Sequence, residues 1–190
     1  MRVHLLPVLA AAVLLAMTGC SADHDGTVPT VPSTGPTSTV VPGGPVHLTD
    51  YTDNDGPAST VILTGGIGDY GTARSVHPDG SVDPEHGSQL ALALGRGGFR
   101  LDIGALHQQF AAVLGALTAD TATCSGTATI TSDAAVVTGS GTGAYAGIAG
   151  TFHLTMTLDE VYKPPGCAEN GGEYLAQSIV TTGSGTVSLP

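Results

Sequence analysis

The chain is 190 residues long and carries sixteen Asp and Glu against five Lys and Arg, a formal net charge of −11 at pH 7. So acidic a chain lacks the clustered Lys and Arg that neutralise phosphates, which argues against nucleic acid as a partner and against direct electrostatic docking on anionic lipid. Its three cysteines, Cys20, Cys124 and Cys167, form no CxxC motif and no Cys/His cluster at zinc spacing, so neither a metal nor another cofactor is expected.

The chain opens MRVHLLPVLAAAVLLAMTGC. Arg2 and His4 give a short basic start, and Leu5 to Met17 is an uncharged apolar run. That run is shorter than the roughly 20 apolar residues a bilayer span needs. Small residues follow at Thr18 and Gly19, the layout of a secretory signal peptide over 1–19. The stretch AMTGC resembles the lipobox of bacterial lipoproteins, with Met17 where Leu is more usual. The resemblance implies that cleavage leaves Cys20 as a lipidated first residue, anchoring the chain to the lipid bilayer at the outer face of the cell membrane. Buried acyl chains contribute about 0.8 kcal/mol per methylene, and two or more are needed for stable anchoring. The other reading is an ordinary signal peptide that happens to end near a cysteine.

Residues 20–45 are dense in Pro, Ser, Thr and Gly and lack aromatics. Such a segment cannot bury enough apolar surface to offset the entropy of ordering it. It reads as a tether between lipid and domain, with a composition that would suit O-glycosylation. Residues 46–190 are then one domain of ordinary size.

In that domain apolar and polar residues alternate with period two, the mark of half-buried strands. Thr60 to Thr64 opens the series. Leu90, Leu92 and Leu94 form a second alternating run, and Phe99, Leu101 and Ile103 a third. Cys124 to Ile130 follows, then Phe152, Leu154, Met156 and Leu158, then the Thr- and Val-rich 178–189. Turn signals separate the runs, at PDG 78–80, GRGG 95–98 and KPPG 163–166 among others. One segment breaks the period: Leu106, Phe110, Val113, Leu114 and Leu117 share one face of a helix, predicted at 104–117, with Asp102 near its start. Seven or eight short strands with one short amphipathic helix predict an all-β fold, a small antiparallel β-barrel of about eight strands, with a β-sandwich as the alternative. If Cys20 is lipidated, two cysteines remain in an exported domain, and an even pair there reads as a Cys124–Cys167 disulfide. Two free buried thiols are the other reading.

Four stretches together resemble the allene oxide cyclase-type β-barrel of secreted actinobacterial proteins: VILTGGIGDYGTA at 61–73, GGFRLDIGAL at 97–106, ATCSGTATIT at 122–131 and GSGTGAYAGIAGTFHLTMTLDE at 139–160. The resemblance implies a closed barrel similar to plant allene oxide cyclases and dirigent proteins. It carries over no activity, since one barrel hosts unrelated functions, and no catalytic residue of the plant enzymes matches a position here.

Within 139–150 the glycines fit the dinucleotide pattern GxGxxG/A, but an alternating strand follows them where a helix would have to receive the pyrophosphate. They read instead as a bend between two barrel strands, with Tyr145 packing or hydrogen-bonding at the corner, and no nucleotide is expected. DYTDNDG at 50–56 fails an EF-hand frame, because Tyr51 and Ile62 fall where carboxylates are required. It reads as an acidic turn before the first strand. HPDGSVDPEH at 77–86 reads as a solvated acidic loop rather than a metal site. His153 faces a ligand or solvent depending on which side of its strand lines the barrel. Glu160 and Tyr162 end the same strand, where polar groups at a barrel mouth suit a small ligand. His153, Glu160, Tyr162 and Tyr145 are therefore the candidate ligand or rim residues. No GxSxG elbow or HExxH motif occurs. Three functions fit: a surface lipoprotein binding a small apolar ligand or a partner, a cyclase or isomerase working inside the barrel, and an interaction module with a filled interior.

Overall fold

A computed structural model describes residues 41–53, 56–164, 167 and 174–190. The signal peptide at 1–19, Cys20 and the tether to residue 40 lie outside the described residues. The fold is all-β and antiparallel, with nine strands in a single sheet and one helix. The strands are β1 (Gly44–Thr52), β2 (Ser59–Gly65), β3 (Asp69–Val76), β4 (Gln89–Leu94), β5 (Gly97–Asp102), β6 (Ser125–Ala135), β7 (Thr142–Gly143), β8 (Ala149–Tyr162) and β9 (Tyr174–Ser188), and helix α1 (Gly104–Leu114) lies between β5 and β6. Their order in the sheet is β6-β8-β9-β1-β2-β3-β4-β5-β7.

The alternating runs became strands where period two predicts them. Two long strands are additional. DYTDNDG is not a turn ahead of the first strand, because Asp50, Tyr51 and Thr52 continue β1. The segment DYGTARSV forms β3, although its glycine and mixed burial blur the alternation. The helix ends at Leu114, three residues short of its predicted end, and Gly115 follows it. Gly104 N–H donates to Asp102 Oδ1 at 3.1 Å, so Asp102 does meet the helix start.

Inward side chains fill a common core. Val46, Leu48, Val61, Leu63, Phe99, Leu101, Phe152 and Leu154 are all buried there. Each such Leu or Phe contributes about 1.5–3 kcal/mol by leaving water. The outward side is hydroxyl-rich. Cross-strand partners Thr131, Thr155, Thr182 and Thr49 make one row over β6, β8, β9 and β1.

The ladder does not close completely. The sheet's long outer strands, β5 and β6, meet through one antiparallel bridge, Leu101 with Val136, reinforced by Val137 N–H to Arg100 O at 2.8 Å. Helix α1 packs on β6. Cys124, at the start of β6, is disulfide-bonded to Cys167, 43 residues on. Closing a loop of that length is worth about 3–4 kcal/mol on chain-entropy grounds.

The Gly-rich segment 139–150 turns the chain from β6 into β8. At its centre β7 pairs with Gly97 and Gly98 of β5. Gly143 has φ +58, and a Cβ there would stand 2.4 Å from Arg96 O, so glycine is required. Tyr145 is fully buried beside it and meets Phe99 edge-on at 5.6 Å between ring centroids. Its hydroxyl donates to Asp69 Oδ2 at 2.6 Å. The same carboxylate accepts Tyr70 N–H at 2.8 Å and Arg96 N–H at 3.1 Å. Arg96 in turn donates through Nη2 to Ile67 O and Gly68 O, both at 2.9 Å. The β2–β3 turn, the β4–β5 turn and the β6–β8 connection are thereby tied to one another at this end of the sheet. Burial raises the Asp69 pKa, but the bonds from Tyr145, Tyr70 and Arg96 outweigh it and hold the carboxyl below its ordinary value. Burial and the same bond push the Tyr145 hydroxyl up to about 12.

Tyr145→Phe should cost about 2 kcal/mol, since it removes one charge-assisted hydrogen bond from a buried carboxylate. Thermal denaturation followed by circular dichroism would show this as a midpoint several degrees lower. An unchanged midpoint would mean that the Asp69 contact does not bear on stability.

Candidate functional site

The other end of the sheet is hollow. A cavity of about 630 Å³ lies there, lined by the last residues of β1 and β3, the first of β2 and β4, the later part of β8, the first half of β9, and α1. It owes its space to the helix. Of the predicted apolar face only Leu106 is fully buried; Phe110 and Val113 are partly so, and Leu114 is exposed. Residues Phe110, Ala111 and Leu114 cover the cavity rather than completing a solid core. Leu90, Met156 and Ile179 supply apolar wall from the strands.

Two buried acids share this cavity. Asp50 is 8% exposed, and its Oδ1 has no hydrogen-bond partner. It follows Val46 and Leu48 on the inward side of β1 and sits in a cross-strand row with Thr181, Met156 and Val61. Desolvation raises its pKa to about 6, with a hydrogen bond to Ser59 pulling the other way. Glu160 is 2% exposed and continues the inward side of β8 beyond Leu158. It accepts hydrogen bonds from Tyr162 Oη and from Gln177 Nε2. The β8–β9 register shifts between Val161 and Tyr162, so Tyr162 does not simply continue the inward row. Its ring packs on Tyr174 at 5.0 Å between centroids, and burial together with the Glu160 bond raises its pKa strongly. Glu160 lies four residues further along β8 than the Asp50 row, about 13 Å at a strand's rise. His107 of α1 faces the same space, and burial lowers its pKa.

The candidate residues therefore separate. Glu160 lines the cavity, and Tyr162, which is not part of the lining, comes together with it through their hydrogen bond. Tyr145 is at the opposite end of the sheet, in the Asp69 cluster. His153 faces outward, exposed, with Nδ1 2.8 Å from Asp133 Oδ1. The 77–86 loop borders the mouth through Pro84 and Glu85, while Asp83 is occupied with His77 at 3.0 Å and with the backbone N–H groups of Glu85 and His86. Sequence reasoning missed Asp50, Gln177 and His107. For Asp50 a signal exists, since it shares parity with Val46 and Leu48.

Fold and site together define a partly open antiparallel β-barrel, blocked with side chains at one end and holding a mixed apolar and acidic cavity at the other. No family model, no curated protein and no solved structure matches the chain.

The raised pKa of Asp50 fixes the sign of its effect on stability. The folded state holds the proton up to about pH 6, whereas an unfolded Asp releases it near 3.8. Asp50 thus favours the folded state below its unfolded value, and that contribution is lost as the pH rises through about 6. His107, whose folded pKa is lowered, acts in the opposite sense near its ordinary value, so the comparison must be with Asp50→Asn. Relative to that variant, the parent protein should gain stability as the pH falls from 7.5 to 5. Urea titrations of both proteins across this range would measure it, and parallel pH profiles would contradict a buried, raised Asp50.

Proposed function

We propose that this chain is an exported lipoprotein, held at the outer face of a membrane through acylated Cys20, whose barrel takes a small apolar ligand into the cavity under α1. The observation that carries the ligand reading is the cavity itself, roomy enough for a small molecule and walled by Leu90, Phe110, Leu114, Met156 and Ile179. Support for the anchor is the sequence AMTGC after an apolar run, followed by a Pro- and Ser/Thr-rich stretch long enough to hold a domain off a surface. The disulfide agrees with export, since such bonds persist in oxidising compartments.

A second reading is favoured by Asp50: a cyclase or isomerase working inside the barrel, which the barrel resemblance permits. A buried carboxyl titrating near 6 is suited to proton transfer at neutral pH. The two readings part on whether a bound molecule is recovered unchanged. Native mass spectrometry of protein from its own host, with chemical analysis of what it carries before and after incubation, separates them.

Two outcomes are expected. Mass spectrometry of the mature protein should find Cys20 acylated, and Cys20→Ala should move the protein from the membrane to the soluble fraction. An unmodified N-terminus elsewhere would remove the anchor. The neutral fluorescent probe N-phenyl-1-naphthylamine should brighten on binding the Cys20→Ala chain. Leu114→Glu, which places a charge in the cavity wall, should weaken that binding at least about fivefold, because a charge in an apolar wall is costly to desolvate. Tyr70→Ala, on the outer face, should leave it unchanged. Equal loss in both variants would mean that the probe binds outside the cavity.

A further inference from the structure

Asp50 is unlike the other carboxylates of the fold. Asp69 collects donors from three residues, and Glu160 is bonded by Tyr162 and Gln177. Asp50 is more than nine-tenths buried, lines the cavity and keeps Oδ1 without a partner. An unpartnered carboxylate oxygen away from water is costly, and a carboxylate accepts hydrogen bonds but donates none. Something that donates to it would remove that cost.

We propose that the cavity selects amphiphiles whose polar end is a protonated amine, with the ammonium bound to Asp50 and the apolar body lying against Phe110, Leu114 and Met156.

Charge favours an ammonium over a neutral donor such as an alcohol. The charged and titratable groups facing the cavity are Asp50 from β1, Glu160 from β8, Glu85 from the β3–β4 connection, Arg74 from β3, His107 from α1 and Tyr174 from β9. Arg74 is exposed at the rim, and burial lowers the pKa of His107 and so favours its neutral form. The lining is therefore net negative, and an anionic headgroup would meet two buried acids. Either donor can hydrogen-bond the ionised carboxylate, but only the ammonium adds the attraction of an opposite charge, which weakens less in a partly dry site than in bulk water. The apolar wall on α1 and β8 argues for an alkyl or aryl body rather than a polyamine. The 13 Å offset along β8 places the fully bonded Glu160 apart from the row that holds Asp50, so one carboxylate is left to meet the ligand's head.

The inference rests on the ligand-binding reading above, and three ligands of one length distinguish its failure from that reading's failure. Octylamine, octanol and octanoate are titrated calorimetrically into the Cys20→Ala full chain at pH 7.5. Octylamine should bind at least about tenfold tighter than octanol, and octanoate weakest, as attraction of opposite charges and repulsion of like ones at a buried acid require. Asp50→Asn should remove the amine preference while leaving octanol binding in place, with Asp50→Leu as the replacement should Asn prevent folding. Asp133→Asn, exposed on the outer face away from the cavity, should preserve the preference. Equal binding of amine and alcohol overturns the amine inference and leaves the cavity reading standing. So does a preference that survives at position 50 or is lost with Asp133→Asn. No binding by any of the three overturns both.

Discussion

Much of this fold depends on one carboxylate. Asp69 stands where three separate turns converge, and each is tied to it by a donor or a backbone contact. Tyr145 reaches it from 76 positions along the chain, and Arg96 from 27. An acid placed at the end of a barrel and surrounded by donors acts as a tie point, because every donor must stay in place to keep a buried charge satisfied. The Gly-rich segment can lie flat against β5 only because glycine occupies the positions where a Cβ would meet backbone. The same tie blocks this end of the barrel with Tyr145 and Phe99. The cavity lies at the other end.

The two ends thus treat the same chemical group in opposite ways. Asp69 is held below its ordinary pKa by donors that outweigh its burial, and Asp50 is held above it by burial, which its hydrogen bond with Ser59 does not offset. Saturation makes the first a structural element. Shortage leaves the second with a buried acceptor oxygen that no group of the fold satisfies. Proteins tend to break local rules at functional sites, and an aspartate on the inward side of a strand is such a break.

The strands were legible where alternation was clean. From Phe152 through Leu158 the inward parity runs on to Glu160, and it also sends His153 outward; what the sequence does not state is which parity is inside until the barrel is built. The helix was legible from its apolar spacing, although its face covers a hollow rather than a core, so Leu114 stays exposed where periodicity expects burial. β1 was obscured by its own acids: the cluster at 50–55 looks like a turn, which hides the parity shared by Val46, Leu48 and Asp50. Tyr162 was placed at the rim by its position, but its bond to Glu160 follows a register shift that no local pattern announces. The partnership of Tyr145 with Asp69 was invisible, because no spacing along the chain encodes a contact across a barrel end.

The hydroxyl rows on the outer face carry a consequence for where such a protein can work. A strip of surface kept wet by threonine presents little for dissolved ions to screen, since screening acts on charge and hardly on neutral hydrogen bonding. Its hydration should therefore vary little between dilute water and brine. Salt would then act on this protein chiefly through its many acidic side chains, and the threonine rows would be largely indifferent to it.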